Sequence, residues 1–166
     1  MNKKSKSVWS TRIRAKTSNV FQKVSNSIEV DRRLFKEDIE GSIAHVEMLN
    51  RQKIISFKVK NKIIWGLKKI QNQIIKKKYI FDYRDEDIHM SIEKKLYELI
   101  GEDAGFIHTA RSRNDQVLVD FKIWMIHSNE KLIKLIEQTI NNILKIAEKN
   151  IYTIMPGFTH LKNAQP

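Results

Sequence analysis

A long stretch without a helix breaker constrains the fold of this chain more than any other feature of its sequence. Between Arg113 and Glu148 there is no Pro or Gly, and apolar side chains recur at the spacing of one helix face. They are Leu118, Phe121, Met125, Leu132, Leu135, Ile136, Ile140, Ile143 and Ala147. This pattern predicts a single helix of about ten turns, roughly 50 Å long. A helix of that length is typical of a bundle with other long helices.

Three shorter amphipathic helices are predicted before it, from apolar residues at helical spacing and from residue types that favour helix ends. The first runs from an N-cap at Asp31 to about Gln52, the second follows a turn at Lys60-Asn61-Lys62, and the third follows Glu86 and Asp87 and stops at Gly101. We therefore predict an all-α fold.

Two parts are predicted in this fold. Residues 1–110 form a small N-terminal helical domain, and residues 111–166 begin a helical-bundle domain. Within the first part, Met1 to Ser27 is polar and weakly periodic, and we expect an extended arm that holds Trp9 and Arg12. The last residues predict a turn followed by the start of a new segment.

The charge of the chain raises nucleic acid and anionic membranes as partners. Lys and Arg number 31 against 19 Asp and Glu, for a formal net charge of +12. The excess is mostly scattered lysine, and the run Lys76-Lys77-Lys78 closes a helical pattern without interleaved aromatic residues. We expect a solvated lysine surface without a specific nucleic-acid partner, so a nucleic-acid-binding domain is the weakest of three hypotheses.

The sequence has no cysteine, which excludes disulfides and thiol catalysis and fits a cytoplasmic protein. No run of apolar residues is long enough to span a membrane, and we expect no membrane partner. Residues Met1 to Ile28 contain no acid. That composition is also typical of a transit peptide, an alternative that the sequence leaves open.

A polar run, Arg111 to Gln116, stands just before the long helix. Ser112 and Asp115 have the spacing of a capping box, in which Ser112 binds the Asp115 amide and Asp115 reaches back. A cap does not explain the arginines, because the start of a helix already carries a positive dipole. We interpret the run as a site for a carboxylate or phosphate.

These motifs resemble the argininosuccinate lyase family of the aspartase/fumarase superfamily, from Trp9 to Pro166. Two signature blocks of the family resemble His108 to Gln116 and Met155 to Leu161. Supporting matches are Asp31-Arg32-x-Leu34, Asp38-Ile39-x-Gly41-Ser42-x-Ala44-His45 and Glu86-Asp87-Ile88-His89.

The sequence also departs from the family. Trp9-Ser10-Thr11-Arg12-Ile13 stands where the family has Trp-x-Gly-Arg-Phe, Phe158 replaces a Tyr, and Lys162 replaces a Gln. Family members are far longer. Their third signature, a Ser-Ser-x-Met-Pro-x-Lys loop with a catalytic serine, does not occur in these 166 residues.

The resemblance implies a β-elimination that splits argininosuccinate into arginine and fumarate, in arginine biosynthesis. His160 is then the candidate for proton transfer. Substrate-binding residues are predicted from the chemistry and the family match together. They are Ser27, His89, Ser112, Arg113, Asn114 and Thr159. His89 has an open alternative, since at the first turn of a helix it could cap or pack.

No metal ion or other cofactor is expected, because the five histidines show no close ligand pair. His45 and His127 lie within helical patterns and are predicted to be structural. His108 precedes the anion site and is predicted to support it indirectly.

The resemblance further implies a homotetramer whose active sites are each built from three subunits. The long helix predicts that different subunits supply the two signatures, because about 50 Å between its ends keeps the two signatures of one chain from reaching one ligand. Without the serine loop, we expect these residues alone to be inactive. We also expect association or partial unfolding in place of a stable tetramer, because the N-terminal domain is too small to cover the apolar face of the long helix. The second hypothesis is a non-catalytic remnant or a crystallin-like structural protein of the same fold.

Overall fold

A computed structural model gives the structure of the chain and describes residues 24–165. The predicted arm, with Trp9 and Arg12, lies outside the described residues except for 24–27. Helices make up most of the described chain, which confirms the predicted all-α class. They are α1 (Ile28–Asp31), α2 (Phe35–Arg51), α3 (Phe57–Ile75), α4 (Ile88–Ile100) and α5 (Arg113–Lys149), with 3₁₀ helices at Arg32–Leu34 and Gly101–His108.

The chain divides into two compact units between Trp124 and Met125, within the sequence of α5. The predicted domain boundary at residue 110 stays a prediction. Among the described residues, no helix is both long and apolar enough to cross a membrane.

The first unit has one apolar core between α2, α3 and α4. Each helix contributes residues three, four or seven apart, which lie on one face. The fully buried core side chains include Ile39, Val46, Leu49, Ile63, Leu67, Ile70, Ile88, Ile92 and Leu96. Helices α3 and α4 approach closely at Gly66, where an added Cβ would lie 2.5 Å from Leu96 Cδ1.

Polar residues fix the helix starts. Asp87 caps α4 by accepting a hydrogen bond from the Met90 N–H at 2.7 Å, as its predicted place at the positive helix end requires. Ser56 caps α3 by accepting from the Val59 N–H at 3.2 Å. The predicted turn at residues 60–62 is therefore wrong, because Ser56 starts the helix earlier and those residues continue it.

The predicted N-cap role of Asp31 is also wrong. Asp31 is the last residue of α1, and its carboxylate accepts a hydrogen bond from the Ile88 N–H at 3.1 Å. Its side chain thus binds the start of α4 instead of its own helix. Burial raises the pKa of this carboxyl group.

The second unit contains the rest of α5 and a short hairpin. Apolar side chains are exposed along this part of the helix, and they include Ile126, Leu132, Ile133, Leu135, Ile136, Ile140, Ile143, Leu144 and Ile146. Strand β1 (Gly157–Thr159) pairs antiparallel with β2 (Lys162–Gln165). Two residues, His160 and Leu161, join the strands.

Candidate active site

The polar segment at the start of α5 has two short-range side-chain hydrogen bonds. The Ser112 N–H donates to Asp115 Oδ2 at 3.0 Å, so Asp115 reaches back as predicted. Ser112 Oγ accepts from the Asn114 N–H at 3.1 Å, whereas the sequence predicted the Asp115 amide. The capping therefore closes one residue earlier than a standard capping box. The side chains of Ser112 and Asn114 remain exposed and available to a ligand.

Arg113 faces acids of its own chain. Its guanidinium donates to both carboxylate oxygens of Glu93, at 2.8 and 3.3 Å, and its Nε lies 3.5 Å from Asp87 Oδ2. From the sequence, Arg113 is predicted to bind the substrate. In the structure two carboxylates already neutralise it, so direct binding of an anion by Arg113 would compete with these ion pairs.

Arg111 is half-buried, and its two terminal nitrogens lie 3.4 and 3.3 Å from Ser42 Oγ. Burial lowers the pKa of this guanidinium, although the charges of Asp38 and Glu93 oppose that effect. Its Nε is buried and has no hydrogen-bond acceptor among the described residues. Arg111 thus directs the positive charge at the first position of the polar segment toward Ser42 of α2.

Glu93 is a residue that the sequence analysis missed. Besides Arg113, its Oε1 lies 2.6 Å from His108 Nε2. The available signal was its position four residues after His89, which places both on one face of α4. His108, predicted to support the site indirectly, thus contacts the same carboxylate as Arg113.

A buried polar cluster lies between α2, α4 and α5. His89 Nδ1 donates to Asp38 Oδ1 at 3.0 Å and lies 3.3 Å from Asp120 Oδ2, and each of the three side chains is at most 2% exposed. Gln116 donates a further hydrogen bond to Asp38 Oδ1. A Cβ added at Gly41 would lie 3.3 Å from Asp120 Oδ1, so the glycine lets α2 and α5 approach each other closely beside the cluster.

The pKa values in this cluster are perturbed in different directions. Burial, together with the charge of Asp38, raises the pKa of Asp120 to about 7. Burial disfavours the charged form of His89, but the bond to Asp38 and the nearby carboxylates outweigh it and raise its pKa. Burial also opposes ionisation of Asp38, yet the bonds from His89 and Gln116 outweigh it and lower its pKa. The cluster therefore holds its protons on His89 and, near neutral pH, partly on Asp120.

Asp38, His89 and Asp120 also have the donor types of a metal site, with one ligand atom of each within 4.8 Å of the others. Two cationic side chains, Arg111 and His89, already interact with these carboxylates. The charges are thus balanced by the protein's own groups, which disfavours a further cation. The expectation of no metal ion stays a prediction.

Ser27 lies exposed beside the start of α4. Its N–H donates to the Glu86 carbonyl at 2.8 Å, and its hydroxyl donates to Asp31 Oδ2 at 2.6 Å. Ser27 thus binds Glu86, and Arg113 of the polar segment contacts Asp87, which is the next residue in the chain.

His89, in contrast, is closed off from solvent by the cluster, so any effect on a ligand would pass through Asp38 and Gln116. His45 Nε2 contacts the Thr109 carbonyl at 2.9 Å, in agreement with its predicted structural role. Burial lowers the pKa of His45.

Thr159 and His160 are exposed in the hairpin of the second unit. His160 and Leu161 have φ angles of 50° and 64°, and Thr159 pairs with Lys162 across the turn. Two residues with positive φ form the loop of a type I′ hairpin, which Asn and Gly prefer. The loop therefore holds His160 in a backbone conformation that non-glycine residues rarely adopt.

The helical fold, with a polar segment at the start of a long helix, defines the class: an all-α protein that presents hydrogen-bonding groups at a helix N-terminus. The sequence carries the assignment further. The family model described as Lyase matches residues 11–166, and the chain belongs to this family.

Several argininosuccinate lyases are similar to this chain. That of Pelagibacter ubique (strain HTCC1062) is 60% identical over 164 residues, which are 99% of this chain and 36% of that protein. That of Ehrlichia chaffeensis is 51% identical over 159 residues, 96% of this chain and 34% of that protein. That of Campylobacter jejuni (strain RM1221) is 46% identical over 160 residues, 96% and 35% respectively. The predicted resemblance to the N-terminal part of argininosuccinate lyase is confirmed, and the chain spans about a third of these relatives' length.

Proposed function

We propose that this chain is the N-terminal part of an argininosuccinate lyase, which splits argininosuccinate into arginine and fumarate in arginine biosynthesis. The observation that carries the proposal is the polar segment at the start of α5, because it lies within a sequence similar to argininosuccinate lyases along almost the whole chain. We further propose that the enzyme works in the cytoplasm without a metal ion or other cofactor.

The elimination needs three things from the protein. A base must remove a proton from carbon, the charge that develops on the adjacent carboxylate must be stabilised, and the leaving nitrogen must be protonated. Ser112 and Asn114 are suited to the second task, because their exposed side chains and the positive end of the α5 dipole attract a carboxylate. Ser27 and Thr159, which are also exposed, are proposed as further substrate contacts.

Arg113 and His89 are proposed to support the substrate contacts from within the protein. Arg113 is bound to Glu93. His89 is bound to Asp38, which also accepts a hydrogen bond from Gln116. Their charges would then act on the substrate over a distance and would hold the segment in place.

His160 is proposed to transfer a proton, since an imidazole can take up and release one near neutral pH. Its exposure in the hairpin leaves it free to reach a ligand. Whether it serves as base or acid in the forward reaction stays open, because the family's serine loop is a second candidate.

Assembly into a homotetramer with shared active sites is proposed as well. Exposed apolar side chains along the second-unit part of α5 support it, since monomers rarely leave such a face uncovered. For the same reason, and because the serine loop is absent from the 166 residues, we propose that this chain alone associates and does not turn over substrate.

The test uses the full-length protein that contains this chain and follows fumarate by its ultraviolet absorbance. We expect a turnover on the order of 1 per second or faster. Asn114→Ala should lower kcat/KM on the order of a hundredfold, because it removes a hydrogen bond to developing charge. Asn61→Ala, on the exposed side of α3, is the matched control and should have no effect. Absence of fumarate formation by the unmutated protein would favour the non-catalytic hypothesis instead.

A further inference from the structure

We infer that Glu93 is a positioning residue that holds Ser112 and Asn114 in place for the substrate. Its carboxylate, the Arg113 guanidinium and the His108 imidazole form what we call the Glu93 clamp. The ligand in this inference is that of the proposed function, an anionic succinyl group. The clamp itself is defined by contacts within one compact unit.

The Glu93 clamp connects the two residues that flank the turn at residues 109–112. His108 is the last residue of a 3₁₀ helix, and Arg113 is the first residue of α5. Glu93 Oε1 lies 2.6 Å from His108 Nε2 and accepts from Arg113 Nη1 at 2.8 Å, while Oε2 accepts from Nη2 at 3.3 Å. A single carboxylate thus fixes both ends of residues 109–112, and paired guanidinium bonds fix orientation as well as distance.

The turn between these ends needs such support. Ala110 has a φ of 55°, a left-handed conformation that is strained for a residue other than glycine. Strained conformations persist only where surrounding contacts hold them. The Thr109 carbonyl is held by His45, and Arg111 by Ser42. Within α4 and its cap, the Arg113 side chain contacts Glu93 at 2.8 and 3.3 Å and Asp87 at 3.5 Å, so Glu93 makes the shorter contacts.

The clamp also determines whether the charge of Arg113 is available to the ligand. Glu93 is 22% exposed and neutralises Arg113, which is 29% exposed. Of the exposed side chains that remain, those of Ser112 and Asn114 are uncharged hydrogen-bonding groups, and the Asp115 carboxylate already accepts from the Ser112 N–H. Substrate would therefore be oriented by hydrogen bonds of fixed direction, and a freed Arg113 would attract the same anion without that orientation.

This arrangement predicts a separation of kcat from KM. Glu93→Gln removes the charge that holds Arg113 and His108, so kcat should fall on the order of tenfold to a hundredfold as the segment loses its geometry. KM should stay the same or decrease, because the freed Arg113 still attracts the anionic substrate. A residue that only stabilised the fold would instead reduce the amount of active protein and leave both constants of the remainder unchanged.

Two comparisons sharpen the test in the full-length protein. Glu98→Gln is the matched control, because Glu98 lies on the same helix, is exposed and pairs with Lys95. It should change neither constant. Arg113→Gln should reproduce the loss in kcat, and the double variant Glu93→Gln/Arg113→Gln should lose clearly less than the two single losses combined, since both remove the Glu93–Arg113 interaction. Fully additive losses would overturn the clamp.

A second measurement does not depend on catalysis. Amide hydrogen exchange of residues 111–116 should become on the order of tenfold faster in Glu93→Gln, without a matching change in α3, because local opening is released while the core is kept. Glu98→Gln should leave exchange unchanged. If Glu93→Gln does not fold, His108→Asn removes one side of the clamp and gives the same measurement.

The outcomes separate the two proposals. If the unmutated protein does not act on argininosuccinate but Glu93→Gln still exchanges residues 111–116 faster than it does, the proposed function is refuted and the clamp stands. Unchanged exchange in residues 111–116 overturns the clamp, whatever the activity. A higher KM at an unchanged kcat also overturns it, because Glu93 would then act on binding alone.

Discussion

At the residue scale, one ring nitrogen in the first unit faces two buried carboxylates. His89 Nδ1 carries a single hydrogen, and it lies 3.0 Å from Asp38 and 3.3 Å from Asp120. That hydrogen bonds Asp38, which also accepts from Gln116. Asp120 Oδ2 is left without a hydrogen-bond donor among the described residues. An ionised carboxylate in such a place is costly, which is the physical reason why the pKa of Asp120 rises to about 7.

A pH dependence of stability follows from this shift. The pKa of Asp120 is 3.8 for an ordinary carboxyl group and about 7 in the folded protein. Between these values the folded state binds more protons than the unfolded state, so the free energy of unfolding falls as pH rises. Asp120→Asn should remove about 1–3 kcal/mol of this fall. Denaturant unfolding of the full-length protein at several pH values measures it.

The raised pKa of His89 acts in the same direction above its ordinary value of 6.5, so some slope should remain there in the variant. Glu40→Gln, at an exposed position of α2, serves as the control and should keep the slope of the unmutated protein. Between the ordinary pKa of 3.8 and the folded pKa of about 7, the free energy of unfolding should fall less steeply with pH in Asp120→Asn than in Glu40→Gln. Equal slopes in the two variants would refute the assignment to Asp120.

At the element scale, helix ends with local signals could be predicted from the sequence. The long helix was predicted from Arg113 to Glu148 and runs Arg113–Lys149. The stop at Gly101 was also correct, because the residue has a φ of 72° that only glycine adopts easily. The start of α3 was missed, because Lys60-Asn61-Lys62, which follow Ser56, resembled a turn.

Gly101 gives a prediction about a single helix end. Its φ of 72° and ψ of −147° lie in a region that is almost restricted to glycine, and an added Cβ would meet no atom within 4 Å. Gly101→Ala should therefore destabilise the fold by about 1–3 kcal/mol through backbone strain alone.

Gly105 provides the comparison, because an added Cβ there also meets nothing within 4 Å, and its φ is not in the left-handed region. Gly105→Ala should be close to neutral. The free energy of unfolding of both variants is measured by denaturant titration, and similar losses in the two would show that strain at Gly101 is not the cause.

At the scale of the whole molecule, contacts between distant parts of the sequence set the limit of prediction. Asp38 meets His89 across 51 positions and Gln116 across 78. The motif around Asp38 drew attention to the residue, and Gln116 and Asp120 are four residues apart on one helix face. Nothing local, however, indicates that these side chains meet. The same is true of Glu93, so the sequence drew attention to the exposed polar residues at the start of α5 and missed the buried and half-buried charges that contact them.

The last prediction concerns how the two signature segments cooperate. Asn114 is the second residue of α5 and His160 follows this helix in the sequence, and a helix of 37 residues is roughly 55 Å long at its usual rise. We propose that each active site takes Asn114 from one subunit and His160 from another. In the full-length protein, Asn114→Ala and His160→Asn should each be nearly inactive as homotetramers. After denaturation and joint refolding, hybrid tetramers should recover part of the activity, because some sites then receive both intact residues.

Fumarate formation measures the recovery, and refolding each variant separately is the control. Tagged subunits establish that exchange took place, and hybrids that are proved to have formed but remain inactive would contradict shared sites.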